Sequence, residues 1–224
     1  MDNNLKTIIE KRIAKTIRNL EKNNMQACYV ESRADAVNKV RELMSEGQTV
    51  AVGGSMTLYE CGVIDILRSG RYRFLDRYEE GLSRDEVEKI FRESFFVDTY
   101  ISSTNAITEN GELYNVDGNS NRVAAICYGP KSVIIIAGYN KIVSDIDEAV
   151  DRVKRTAAPA NAVRLSCDTY CSEKGECMSL ARGETGMACG CGSPARICCN
   201  YVVSGYQRVK DRIKVIIVGE QLGY

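Results

Sequence analysis

Apolar residues at Leu5, Ile8, Ile9, Ile13, Ile17 and Leu20 fall close to one helical face. They predict an amphipathic helix ending near Asn23 and Asn24. A short apolar run at residues 27–30 reads as a strand. Ser32 or Asp35 then caps a helix carrying Ala36, Val40, Leu43 and Met44, which stops at Gly47. A strand at residues 49–52, a glycine turn and a helix over about 56–67 complete a β-α-β alternation. That alternation implies a mostly parallel sheet with helices on its faces.

The pattern continues through the middle of the chain. Ser83 with Glu86 forms a capping box ahead of a helix through Phe91. Residues 97–102 alternate like a strand, and residues 112–116 read as a short one. Residues 132–138 (SVIIIAG) form an unbroken β-branched run, as expected of a central strand covered on both faces. After Asp145, the residues Ile146, Ala149, Val150 and Val153 share a helical face. Residues 212–218 (RIKVIIV) give another buried strand close to the C-terminus. The fold class read from this pattern is α/β and Rossmann-like. One domain spans residues 1–224, with a cysteine-rich insertion at residues 166–200 before the last strand.

Composition narrows the function classes. The 224 residues include 30 basic and 30 acidic side chains, so the formal net charge is zero. A nucleic-acid binder usually carries a basic surplus, so no nucleic-acid partner is expected. The longest apolar runs fall far short of the ~18 residues of a spanning helix, and the first twenty residues are charged throughout. The expectation is a cytoplasmic chain with no membrane partner. Histidine is absent, which leaves acid–base chemistry to carboxylates, Lys, Tyr, Cys, a cofactor or water.

Three segments carry candidate chemistry. The first, residues 51–58 (AVGGSMTL), follows a strand and opens a helix. Gly53 and Gly54 let an anion approach the backbone, while Ser55 and Thr57 offer hydroxyls. A plain turn with Ser55 as its N-cap is the alternative. The second segment runs from Asn105 to Arg122. Asn110-Gly111 and Asp117-Gly118 are turn dipeptides, and Glu109 stands at a strand end where open sheets bind ligands. Glu109 is the candidate catalytic carboxylate. Asn110, Asn121 and Arg122 are candidate ligand contacts.

The third segment holds seven of the ten cysteines within residues 167–199. In a reducing compartment such a cluster reads as a metal site. Cys171, Cys177, Cys191 and Cys198 form the candidate ligand set, with Cys167, Cys189 and Cys199 as alternates. Four thiolates suit tetrahedral zinc or an iron–sulfur cluster. The spare soft ligands and absent histidine favour a 4Fe-4S cluster over zinc. Pro194 predicts the first turn of a helix that delivers Cys198. Cys28, Cys61 and Cys127 read as apolar packing.

Taken together, residues 52–63 (VGGSMTLYECGV), 103–122 (STNAITENGELYNVDGNSNR), 157–165 (AAPANAVRL) and the CSEKGEC and CGSPARICCNYVV segments resemble the LUD family. The family takes its name from lactate utilisation. The resemblance runs from about residue 35 to the C-terminus and is to the single-domain branch with a cysteine-containing tail. It implies a NagB/RpiA/CoA-transferase-like fold and a role in oxidising L-lactate to pyruvate beside iron–sulfur partner proteins. The stretch 178–190 is longer than the spacer expected there, leaving Cys189 and Cys191 in competition for one ligand position. Glu109-Asn110-Gly111 also resembles the segment in which some CoA transferases carry a nucleophilic glutamate.

Three functions follow as expectations. One is a redox component with an iron–sulfur cluster and a site for a small carboxylate or phosphate, working with iron–sulfur or flavin partner proteins. A second is a transferase or isomerase that uses Glu109 and a structural zinc. The third is a non-catalytic assembly subunit, and a homo-oligomer is compatible with each. No flavin or nicotinamide fingerprint is present.

Overall fold

The computed structural model describes residues 2–224. The chain runs α1 (Asn3–Lys22), β1 (Gln26–Val30), α2 (Arg33–Leu43), β2 (Thr49–Val52), α3 (Met56–Glu60), α4 (Val63–Leu67), β3 (Arg73–Leu75), α5 (Arg84–Glu93) and β4 (Thr99–Ser102). It continues through β5 (Ala106–Thr108), β6 (Leu113–Asp117), α6 (Asn121–Cys127), β7 (Ser132–Gly138), β8 (Ile142–Val143), α7 (Ile146–Arg152) and α8 (Ala158–Arg164). The last elements are α9 (Tyr170–Lys174), α10 (Met178–Ala181), β9 (Asn200–Ser204) and β10 (Ile213–Val218).

Six strands form one fully parallel sheet in the order β1-β10-β7-β4-β2-β3. The unbroken apolar run of β7 is explained by the sheet's two covered faces. Ile134 and Ile136 pack toward Val40, Leu58 and Ile64 on one side. Val133, Ile135 and Ala137 pack toward Ile13, Leu20 and Ile126 on the other. Strands buried on both faces need no polar alternation. A second sheet, β8-β5-β6-β9, lies beyond the α1 side and contributes Ile107 and Leu113 to that same core. Its outer face packs Tyr114, Ala106 and Val143 against Val150, Val153 and Ala157.

Local signals placed most elements. Ser32 caps α2 and Asp35 returns the bond, while Ser83 and Glu86 do the same for α5. Two expectations need correction. The helix over 56–67 is two helices, because Gly62 takes φ +76° and restarts the chain at α4. No helix delivers Cys198: Pro194 sits in a turn closed by the Arg196 N–H donating to the Ser193 carbonyl. The cysteine-rich segment docks on the outer face of the small sheet and on the π-helical turn Val153–Ala157 that joins α7 to α8. There the Cys177 N–H donates to Lys154 O, and Lys154 Nζ donates to Gly186 O at 2.8 Å. Among the described residues no helix is long and apolar enough to cross a membrane.

Candidate functional site

Chain order around the large sheet fixes where a cleft opens. From β2 the chain steps outward to β3, then returns to the other side of β2 as β4 and proceeds through β7 toward β10. The reversal lies between β2 and β4, and open sheets bind ligands beyond the carboxyl ends of the strands at that point. Residues 53–57 leave β2 there, residues 103–105 leave β4, and Lys141 comes three residues after β7. These segments line a cleft of about 510 Å³.

The approach of the β2 loop to its neighbours requires glycine. A Cβ on Gly53 would lie 2.6 Å from Ser102 Oγ and 2.9 Å from Arg122 Cγ. Gly54 is open on the cleft side, with the Arg77 guanidinium 3.8 Å from the position of a Cβ. Thr57 is fully buried, and its Oγ1 receives a bond from Lys141 Nζ at 3.1 Å. The Ser55 side chain makes no capping bond. α3 is therefore held by the fit of its residues and not by the N-cap that the plain-turn alternative supposed.

Electrostatically the cleft is one-sided. Arg77, Arg122, Lys141, Arg164 and Arg196 line it, against one described acid, Asp117. That acid is already engaged: it accepts the Arg122 and Val123 N–H groups at the start of α6 and lies 3.9 Å from Arg122 Nε. Arg122 donates to Asn115 Oδ1 at 2.6 Å, Val116 O at 2.8 Å, Asn105 Oδ1 at 3.1 Å and Ser103 O at 3.3 Å. Its donors are thus committed to the protein, so it supplies the cleft with charge and a rigid wall. Arg77 differs. Its guanidinium stacks 4.3 Å from the Phe91 ring centre, and its buried Nε has no partner among the described residues. Lys141 is 2% exposed. Burial first, then the Arg152 and Arg122 cations, pull its amine down to about 7.

A second, smaller cavity adjoins the first. Cys171, Cys177, Cys189, Cys191 and Cys198 line it, together with Lys154 and Arg196. All ten cysteines are free, and no three thiols or carboxylates converge into a metal-binding group among the described residues. The donor chemistry nonetheless fits a thiolate-bound metal. Five thiols face one space, two cations offset the charge that deprotonation would create, and no carboxylate lines the wall. Burial and the neighbouring Cys171 and Cys177 push the Cys198 thiol up to about 12. Ligation would therefore have to release its proton. Arg196 braces the segment, donating to Ala188 O, Cys191 O, Cys198 O and Tyr201 Oη. Arg196 and Ile197 line both cavities.

The sequence pattern of the LUD domain matches residues 13–218. This chain belongs to the LUD domain family. No curated protein matches it. Among solved structures, a DUF162 family protein from Deinococcus radiodurans shares 15% identity at a TM-score of 0.50, covering 95% of this chain and 98% of that one. The eIF2B beta protein from Chaetomium thermophilum (16% identity, TM-score 0.36) covers 51% of this chain and 43% of its own. Ribose 5-phosphate isomerase from Plasmodium falciparum (18% identity, TM-score 0.31) covers 50% and 52%.

Within this LUD domain, Gly54, Ser55, Thr57, Asn121 and Arg122 meet at the cleft, with Gly53 immediately behind it. Glu109 and Asn110 do not. They lie at the far end of β5, under α1. The Glu109 carboxylate accepts from Lys15 Nζ at 2.7 Å and Arg12 Nε at 2.8 Å, and the Asn110 carbonyl accepts from Asn23. The bond from Lys15, with Arg12 beside it, holds the Glu109 carboxyl below the usual range. Cys171, Cys177, Cys191 and Cys198 line one cavity, together with Cys189. Cys167 lies outside that cavity, and the exposed Cys199 faces the cationic cleft instead. Sequence reasoning missed Arg77, Lys141, Lys154 and Arg196. Arg77 and Lys141 stand in polar stretches without a motif, and only the return of β4 and β7 beside β2 places them in the cleft.

Proposed function

We propose that this LUD-family chain is a redox component of organic-acid metabolism. It would bind a small carboxylate or phosphate in the cationic cleft and a thiolate-ligated iron–sulfur cluster in the adjoining cavity. One observation carries the reading: the five-thiol cavity and the anion-attracting cleft share a wall at Arg196 and Ile197. Cys171, Cys177 and Cys198, with Cys191 or Cys189, are the residues that would hold the group. When bound, it would supply one-electron chemistry. The chain's own residues attract and orient the anion: Arg77 offers a guanidinium whose buried Nε has no protein partner among the described residues, and Arg122 contributes positive charge behind the β2 loop. A lactate-type substrate needs a hydride acceptor, which supports a flavin partner protein, with iron–sulfur centres carrying its electrons onward one at a time.

The transferase reading has less support, because Glu109 is held by Arg12 and Lys15 away from the cleft. The test is anaerobic purification with iron, acid-labile sulfide and zinc analysis and an absorption spectrum. The expected result is iron and sulfide in cluster proportion, lost in Cys171→Ser, Cys177→Ser and Cys198→Ser and retained in Cys167→Ser and Cys199→Ser. Zinc without sulfide would make the segment a structural staple and overturn the redox reading.

A further inference from the structure

Lys141 has two hydrogen-bond partners in the protein, both hydroxyls. Its Nζ lies 3.1 Å from Thr57 Oγ1 and 3.0 Å from Ser103 Oγ. Each hydroxyl already directs its own hydrogen to a carbonyl: Thr57 to Leu222 O at 3.5 Å, Ser103 to Thr104 O at 3.4 Å. Both hydroxyls therefore accept from the lysine. A neutral amine has two N–H donors and one lone pair, so these two acceptors use its donors and leave the lone pair free.

The surrounding charges agree. Arg122 from α6 and Arg152 from α7 disfavour the charged form, while Glu60 and Cys61 at the end of α3 oppose them more weakly than burial. Arg152 stays in place by donating to Asn105 O at 2.7 Å and Asn140 O at 3.1 Å. Thr57, Ser103 and Lys141 all line the cleft. A buried amine with a free lone pair, in a cavity that attracts anions, is equipped to attack carbon.

We propose that Lys141 is a nucleophile that forms an imine with the carbonyl of a short 2-oxo acid held in the cleft. The inference rests on the anion-binding reading of that cleft and not on the thiol cavity. A carbonyl next to a carboxylate joins, in one small molecule, the group the amine attacks and the charge the cleft attracts. The lone pair forms the C–N bond. The two nitrogen protons pass to the carbonyl oxygen, which leaves as water, and the C=N bond remains. No oxidant or reductant is consumed.

The test is incubation of the full chain with pyruvate and cyanoborohydride, followed by intact mass and peptide mapping. The expected result is one reduced pyruvate adduct per chain, located on Lys141, with a labelling rate that rises as pH passes through about 7. In Lys141→Arg, labelling should fall at least tenfold. Mapping of the unsubstituted protein decides the question even if the variant does not fold. Adducts spread over exposed lysines, or undiminished in Lys141→Arg, overturn the proposal. Pyruvate binding measured in parallel separates two failures. Binding without a Lys141 adduct rejects the imine and leaves the cleft as an anion site, whereas absence of both rejects the cleft reading as well.

Discussion

At Lys141 the cost of burying a charge is set against the use of a neutral amine. The unfolded lysine holds its proton to about 10.5, whereas the folded one releases it near 7. Between those values the unfolded chain binds more protons, so this residue makes stability rise with pH. Below about 7 both states are charged and the full burial cost stands. Lys141→Met removes that cost together with two hydrogen bonds. The melting temperature of the variant relative to the parent should therefore be higher at pH 6 than at pH 9, by roughly 5–10 °C. A difference independent of pH, followed by calorimetry, would remove the buried neutral amine from the account.

Elements in this fold are held by side chains that the local pattern does not mark as structural. Glu109 ties α1 to the end of β5 through Lys15 and Arg12. Gly111 completes the clamp: it has φ +84°, and an added Cβ would run into the backbone of Asn19 and Leu20. Both cations are about half exposed, so the pairs contribute modestly. Glu109→Gln should lower stability by about 1 kcal/mol at pH 7 in urea titrations. The contribution of a depressed carboxyl is present above its unfolded value and is lost as pH falls through the folded one, so the two proteins should converge as pH falls below the ordinary carboxylate range. Cleft binding of pyruvate should not change. On the other side, Arg196 donates to three carbonyls and a tyrosine hydroxyl around the thiol cavity. Arg196→Met should raise amide exchange at least tenfold across residues 188–201, since Ala188 O and Cys191 O lose their donor and Cys198 O keeps only the Tyr201 hydroxyl. The parallel sheet should remain protected.

For the whole molecule, a net charge of zero conceals a strong local imbalance. Four arginines line the cleft, beside the amine of Lys141, against one engaged acid, and low-dielectric walls concentrate that field. Anion affinity should therefore fall as salt rises. Arg77→Gln, which removes the guanidinium with a free buried donor, should weaken binding of a small carboxylate about tenfold in titration calorimetry. Overall composition averages over the whole surface, so the even balance of charges gave no sign of the cleft.

The sequence by itself determined the α/β class, the large-sheet strands other than β3, the capped starts of α2 and α5, the β2 loop and the family. These features rest on periods of two and 3.6, on caps a few residues long, and on contiguous motifs, all of which are local. The short strands β3, β5, β8 and β9 were not legible. β3, β5 and β8 have two or three residues, too few for a periodicity, and the five of β9 (NYVVS) show no clean alternation, so those strands exist because partners pair with them. Tertiary structure alone decided that Glu109 belongs to α1, and that Lys141 and Arg77 face the β2 loop. It also chose which five of seven clustered cysteines share a cavity. Each of these depends on contacts between residues far apart in the chain, and sheet order, not neighbouring sequence, sets which distant residues meet.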